Sequence, residues 1–293
     1  MQQIVDILAP TFFAIAIGYL FGRVARPSVA SLIDAAMFVA TPCLVFYFLY
    51  TNEVQLGEAA RLWASCLLVM AGSFALAWLV FGLRKKGSAG IYLPVVFSNT
   101  VNIPLPIIYL AFGNEGVANV ILYYIPNGLL IYSLGVYVAS GHRELRQGLK
   151  AVLRTPLIYA AVLGLVLNLS GATVPHAALQ SLSLLGQAAV PLMLLVLGIN
   201  VGRYRLTRLA TTIVASILRV GGGLLLGFLA VWLLNLSGVP RAVVIFEAAM
   251  PGAVVIAVLC SKYNNDAEMA SSIVLATTLM AVGVIPALLY YLS

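Results

Sequence analysis

The 293 residues are 62% hydrophobic and only 9% charged, with a mean hydropathy of +1.06. A soluble domain carries roughly 25% charged residues, so the deficit excludes an ordinary water-soluble fold and points to a polytopic helical membrane protein. The net charge of +7 sits in short basic clusters between apolar runs, a pattern of membrane topology and not of nucleic-acid binding.

In chain order, apolar runs of about 20 residues, long enough to cross a bilayer, predict ten spans. They lie near 3–22, 29–50, 58–82, 89–112, 116–139, 156–171, 177–200, 212–236, 241–260 and 269–292. The first residues, Met1 to Asp6, lack the basic segment that opens a cleaved signal peptide, so the first span is expected to stay in the mature protein. Arg23 and Arg26 follow the first span, Arg84, Lys85 and Lys86 the third, and Arg143, Arg146, Lys150 and Arg154 the fifth. Arg203, Arg205 and Arg208 follow the seventh, and Lys262 the ninth. The intervening loops hold almost none beyond Arg61 and Arg241. This asymmetry puts the odd-to-even loops in the cytoplasm and both termini on the external side. In segment 142–154, Leu145, Leu149 and Leu153 recur among basic residues and predict an amphipathic helix on the anionic cytoplasmic leaflet.

The chain also reads as two matching halves. Pro42 in the second span matches Pro191 in the seventh, an offset of about 149 residues. Pro104 in the fourth matches Pro251 in the ninth, and the turn Gly113-Asn114-Glu115 matches Asn264-Asn265-Asp266. The expected organisation is a first five-helix repeat over 1–140, a linker over 141–154, and a second repeat over 155–293. An odd number of spans per repeat inverts the second half, the arrangement that underlies alternating access.

The stretch Phe97-Ser98-Asn99-Thr100-Val101-Asn102-Ile103-Pro104 interrupts the fourth span, and Phe246-Glu247-Ala248-Ala249-Met250-Pro251-Gly252 interrupts the ninth. Proline removes a backbone donor and clashes with the preceding turn, so both helices are expected to break. Broken helices at corresponding positions of two halves mark a transporter's substrate site. Ser98, Asn99, Thr100 and Asn102 crowd the first break; their amides and hydroxyls can bind a carboxylate or a cation, or else satisfy backbone groups freed by the prolines. A half-helix starting at Pro104 aims its positive N-terminal end at the site, which suits an anion. Asn127, after Pro126, either joins that site or bonds a freed carbonyl. Glu247 is expected to be protonated, ion-paired with Arg241, or bound to a cation such as Na⁺. Asp34 and Arg219 lie near the cytoplasmic ends of their spans and are expected at the interface.

Cys43, Cys66 and Cys260 lack CxxC or Cys/His spacing and read as small buried hydrophobes, so no metal or redox cofactor is predicted. There is no HExxH pair, no second aspartate well inside a span and no Walker motif, which argues against an intramembrane enzyme and against ATP-driven transport.

Taken together, Ala248-Ala249-Met250-Pro251, Ser261-Lys262-Tyr263-Asn264-Asn265-Asp266, Ser98-Asn99-Thr100, Ile103-Pro104-Leu105, Tyr132-Ser133-Leu134-Gly135 and Leu153-Arg154-Thr155-Pro156 resemble the auxin efflux carrier family, in its compact bacterial branch. The resemblance implies a scaffold of spans 1, 2, 6 and 7, and a mobile transport domain of spans 3–5 and 8–10. It further implies helices 4 and 9 crossing at their prolines, a homodimer, and a bacterial inner-membrane location. The substrate would be a small organic anion, auxin-like or malate- or malonate-like, held by Asn99, Asn102, Pro104, Asn127, Pro251 and Gly252. A more distant likeness to sodium/bile acid symporters implies a coupling cation, Na⁺ or H⁺, at Glu247 with Ser98 and Thr100. Pro251 departs from that pattern, where those symporters carry a glutamine. The expectation is a gradient-driven secondary transporter; an uncoupled uniporter, a channel and a non-transporting membrane sensor are the alternatives.

Overall fold

A computed structural model describes residues 2–52, 55–83, 87–141, 156–202 and 205–292. The surface helix expected over 142–154, and the basic cluster at 84–86, lie outside the described residues. The described chain is all helical, with no strand. Its segments are α1 (Gln2–Val24), α2 (Val29–Thr51), α3 (Leu56–Gly82), α4 (Ala89–Val96), α5 (Pro104–Ala139), α6 (Pro156–Ser170), α7 (His176–Val201), α8 (Leu209–Leu233), α9 (Gly238–Ala248), α10 (Val254–Lys262) and α11 (Ala267–Leu292). Among these, α2, α3, α5, α7, α8 and α11 are long and apolar enough to cross a membrane. Shorter apolar helices cover Ala9–Val24 in α1 and Pro156–Ser170 in α6.

The prolines explain much of this segmentation. Pro104 opens a helix, at the position where a missing N–H costs nothing. Ahead of Pro42, the helix widens into a π turn at Ala36–Ala40, which contains the Phe38 carbonyl that Pro42 cannot bond. The expected interruptions are present: seven residues separate α4 from α5 and five separate α9 from α10. Gly113, with φ +63° and ψ −152°, breaks the helical path inside α5, so its first stretch, 104–112, turns off from the rest. Only a residue without a Cβ reaches that conformation readily.

The connections gather at two ends. At one, Asp266 accepts from Ser88 Oγ and from Arg208, while Asn265 Nδ2 donates to the last carbonyls of α5, Val138 and Ala139. This joins the turns after α3, α5, α7 and α10. At the other end, Asn168 Nδ2 donates to the carbonyls of Tyr50 and Asn52, and Tyr50 Oη donates to the Ala172 carbonyl and accepts from the Val174 N–H. Tyr50 is thus pinned between the turns after α2 and α6.

Packing proceeds in pairs: α1 on α7, α2 on α6, α4 on α11, α9 on α5, and α3 on α8. The α1–α7 pair is the closest, because glycines face backbone. A Cβ on Gly198 would strike the Ile15 carbonyl and sit 2.7 Å from the Tyr19 nitrogen. Gly198→Val is therefore expected to cost about 3 kcal/mol through overpacking, whereas Gly283→Ala, where a Cβ meets nothing within 4 Å and alanine is the better helix former, does not lower the melting temperature of the purified protein.

Candidate functional site

The two unwound segments, 97–103 and 249–253, meet as a miniature antiparallel pair. Asn99 N donates to the Pro251 carbonyl at 2.8 Å, and Ala253 N donates to the Phe97 carbonyl at 2.9 Å, bracketing Ser98 opposite Gly252. The backbone groups freed from the two helices thereby satisfy one another. Gly252 is there because nothing larger fits: an added Cβ would lie 2.8 Å from the Pro94 carbonyl. Its N–H donates to Thr277 Oγ1 of α11 at 3.2 Å, a support that sequence reading missed because a threonine in an apolar helix usually bonds its own backbone, as Thr277 also does to Ile273 and Val274.

Asn127 of α5 fastens the first segment from one side. Its Nδ2 donates to the Ser98 carbonyl at 3.0 Å and to Thr100 Oγ1 at 2.9 Å. Asn99 closes a local turn, its Oδ1 accepting from the Asn102 N–H at 3.1 Å. Both side chains are buried, and each keeps one polar atom unpartnered: Asn99 Nδ2 and Asn127 Oδ1.

From the other side comes Arg219 of α8. It was expected at the interface, and the structure corrects this: it is completely buried. Its guanidinium donates to the carbonyls of Val95 (2.8 Å) and Val96 (3.3 Å), at the end of α4, and to that of Ala248, at the end of α9. Arg219 lies in a π turn, Leu218–Gly222, and α8 approaches α9 closely just beyond it: a Cβ on Gly223 would collide with the Ala248 carbonyl and the guanidinium. The sequence signal was present, a lone arginine beside a triple glycine. Asp34, by contrast, is exposed.

A cavity of about 50 Å³ lies in front of the crossing segments. Ser98, Asn99, Thr100, Asn102 and Asn127 line it, together with Thr41, Tyr124, Tyr132 and the start of α10 at Ala253, Val254 and Val255. The first N–H groups of a helix have no intrahelical partner, so this cavity meets positive backbone potential from α10. Pro104, Pro251 and Gly252 are buried behind it and shape the crossing without lining the cavity. At Pro104 the helix start is turned to local use, since the Leu105 N–H bonds the Val101 carbonyl.

Successive residues of the same helices lead on to a cleft of about 720 Å³: Leu44, Tyr47 and Phe48 of α2, Leu105 and Tyr109 of α5, Gly186 and Val190 of α7. It extends to the end of the molecule that carries Asn52 and Asn114.

Glu247 lies apart from this cavity. It is fully buried in α9, with neither carboxylate oxygen hydrogen-bonded. The expected alternative of an ion pair with Arg241 is absent, since Arg241 is turned to Tyr291. Titratable groups within electrostatic reach of Glu247 come from two packed helices, Cys66 of α3 and Tyr123 of α5. Ser98 and Thr100, expected to share the coupling site with Glu247, line the cavity.

With this geometry in view, comparison with known proteins is informative. The sequence model of the family described as "Membrane transport protein" matches residues 3–151 and 141–291. The chain belongs to this family, whose members are membrane transport proteins of the auxin efflux carrier type. It is 27% identical to an uncharacterized transporter of Methanocaldococcus jannaschii, over 93% of this chain and 94% of that one. It is 27% identical to an uncharacterized transporter of Methanothermobacter thermautotrophicus, over 93% of each chain. The protein is thus a multi-pass membrane transporter and not an enzyme.

Removing the Asn127 amide leaves the Ser98 carbonyl and the Thr100 hydroxyl without their donor. Asn127→Ala is expected to lower stability by about 2 kcal/mol, read as a drop in melting temperature that Asn102→Ala, whose side chain donates to none of these groups, does not reproduce.

Proposed function

We propose that this family member is a secondary transporter that carries a small organic anion, its carboxylate held at the crossing of the two broken helices. One observation carries the reading: Asn99, which lines the cavity that also receives the N-terminus of α10, keeps its Nδ2 as a buried, unpartnered donor. A carboxylate would complete that donor and meet the helix N–H groups, replacing its hydration with fixed dipoles. The cavity has room for little more than such a group, so the rest of the substrate would extend into the larger cleft.

Ten spans in two inverted repeats fit the packing. Exchanging the first five spans for the last five turns the α1–α7 contact into α6–α2, and the α4–α11 contact into α9–α5. Both partner contacts occur. The gathering of the turns after α3, α5, α7 and α10 at one end, and of those after α2 and α6 at the other, supports the topology with basic loops in the cytoplasm of a plasma membrane. In that orientation the cleft is open to the outside. It runs between α2 and α7 on one side and α5 on the other, the division expected between scaffold and transport domain, and an elevator movement of the crossing past α2 and α7 would close it and open the opposite end.

Glu247 supplies the coupling. The titratable side chains within its electrostatic reach are a phenol and a thiol, neither a favoured ligand for a hard cation that takes several oxygen ligands. A proton needs no such shell. Carried anion and proton would then cross together.

The reading is tested in proteoliposomes with a panel of carboxylates. Asn99→Ala is expected to weaken carboxylate binding at least about tenfold with the protein still folded; parental binding in that variant would remove the site from the crossing. Glu247→Gln is expected to transport at a rate that no longer responds to a pH gradient, while a Na⁺ gradient drives neither protein. Acceleration by Na⁺ alone would assign the carboxylate to sodium, and equal response of both proteins to the pH gradient would make Glu247 structural.

A further inference from the structure

The buried Arg219 has no part in the substrate cavity, and its neighbour Glu247 is not its ion-pair partner. What it binds instead are three carbonyls at the C-terminal ends of two different helices, α4 and α9. These are the first halves of the two broken helices, and each end carries about half a negative charge from the aligned peptide dipoles. The single positive charge of the guanidinium therefore matches the two helix ends together. We propose that Arg219 is a positioning residue: a fork that clamps the two half-helix ends to each other and to α8, so that the crossing moves as one body during transport.

Three features support this. Only a planar fork with several N–H groups reaches carbonyls on two helices at once; an ammonium is a compact point charge. The donor set is divided, with Nη1 on α4 and Nη2 on α9, so that losing the fork unties the two halves from each other. The approach is built into α8 as well, where the π turn carries Arg219 and the absence of a Cβ at Gly223 leaves room for the contact with Ala248. Because the guanidinium is matched by helix ends, Glu247 when ionised remains uncompensated. That keeps the coupling carboxylate free to respond to a proton, and in this respect the inference rests on the proposed transport reading.

The test uses the full chain in nanodiscs and follows amide hydrogen exchange. In Arg219→Lys the charge stays and the fork is lost. Amides of 97–100 and of 249–253 are expected to exchange together about tenfold faster, with α1 and α6 unchanged. Carboxylate affinity would stay within about threefold while the transport rate falls about tenfold, because the cavity is intact and the body that moves is loosened. Unchanged protection of both segments, or loosening confined to α8, overturns the proposal, as does transport at the parental rate. If Arg219→Lys does not fold, Gly223→Ala serves instead: it keeps Arg219 and forces it from the Ala248 carbonyl. Faster exchange at 249–253 is then expected, and parental exchange there overturns the clamp. If the parent binds no carboxylate, the transport reading fails while the exchange result still decides on the clamp.

Discussion

A backbone that leaves its helix inside a membrane protein must find new hydrogen-bond partners, because lipid supplies none. Everything distinctive here follows from that constraint applied twice. Two apolar helices are broken by proline and asparagine-rich or glycine-containing stretches, and each break would be untenable alone. Together, Asn99 N with the Pro251 carbonyl and Ala253 N with the Phe97 carbonyl close most of the deficit. Asn127, Thr277 and Arg219, each from a different helix, close much of the remainder. The crossing is therefore assembled from the two broken helices together with groups that α5, α8 and α11 bring to it.

The same arrangement separates charge. Four half-helix ends converge, and their dipoles would largely cancel if all were left bare. The C-terminal ends of α4 and α9 are instead covered by a guanidinium, while the N-terminal end of α10 opens into a cavity with an unpartnered amide. The cavity consequently presents donors on its α10 side, with no Lys or Arg among the described residues that line it. Helix ends and amides attract an anion without burying a fixed cation, and an anion held this way can also leave. The carboxylate of Glu247, buried beyond the cavity, is the one carboxylate near the crossing among the described residues, and its isolation gives it a chemistry separate from that of substrate binding.

Much of this was legible in the residues. The charge deficit and the apolar runs determined a helical membrane protein. Pro104 and Pro251 determined where two helices break, since a proline cannot donate whatever surrounds it. The polar groups at Ser98 to Asn102 and at Asn127 stood out because polar side chains are rare and costly in apolar spans. Arg219 was misjudged. Its distance along the sequence from the end of the span suggested the surface, and nothing local reveals that two helix ends, 124 and 29 residues away, would gather their carbonyls around it.

The sequence by itself thus determined the solvent, the helices and the positions of the breaks, because hydrophobicity and proline geometry act on each residue and its immediate neighbours. Only the tertiary structure decided which breaks face each other, that the N-terminus of α10 and not the start of α5 at Pro104 lines the cavity, and that Arg219 serves helix ends while Glu247 stands without an ion-pair partner. Those outcomes depend on the pairing of groups far apart in the chain, and the energy of a buried hydrogen bond or charge depends on partners that only the fold brings within reach.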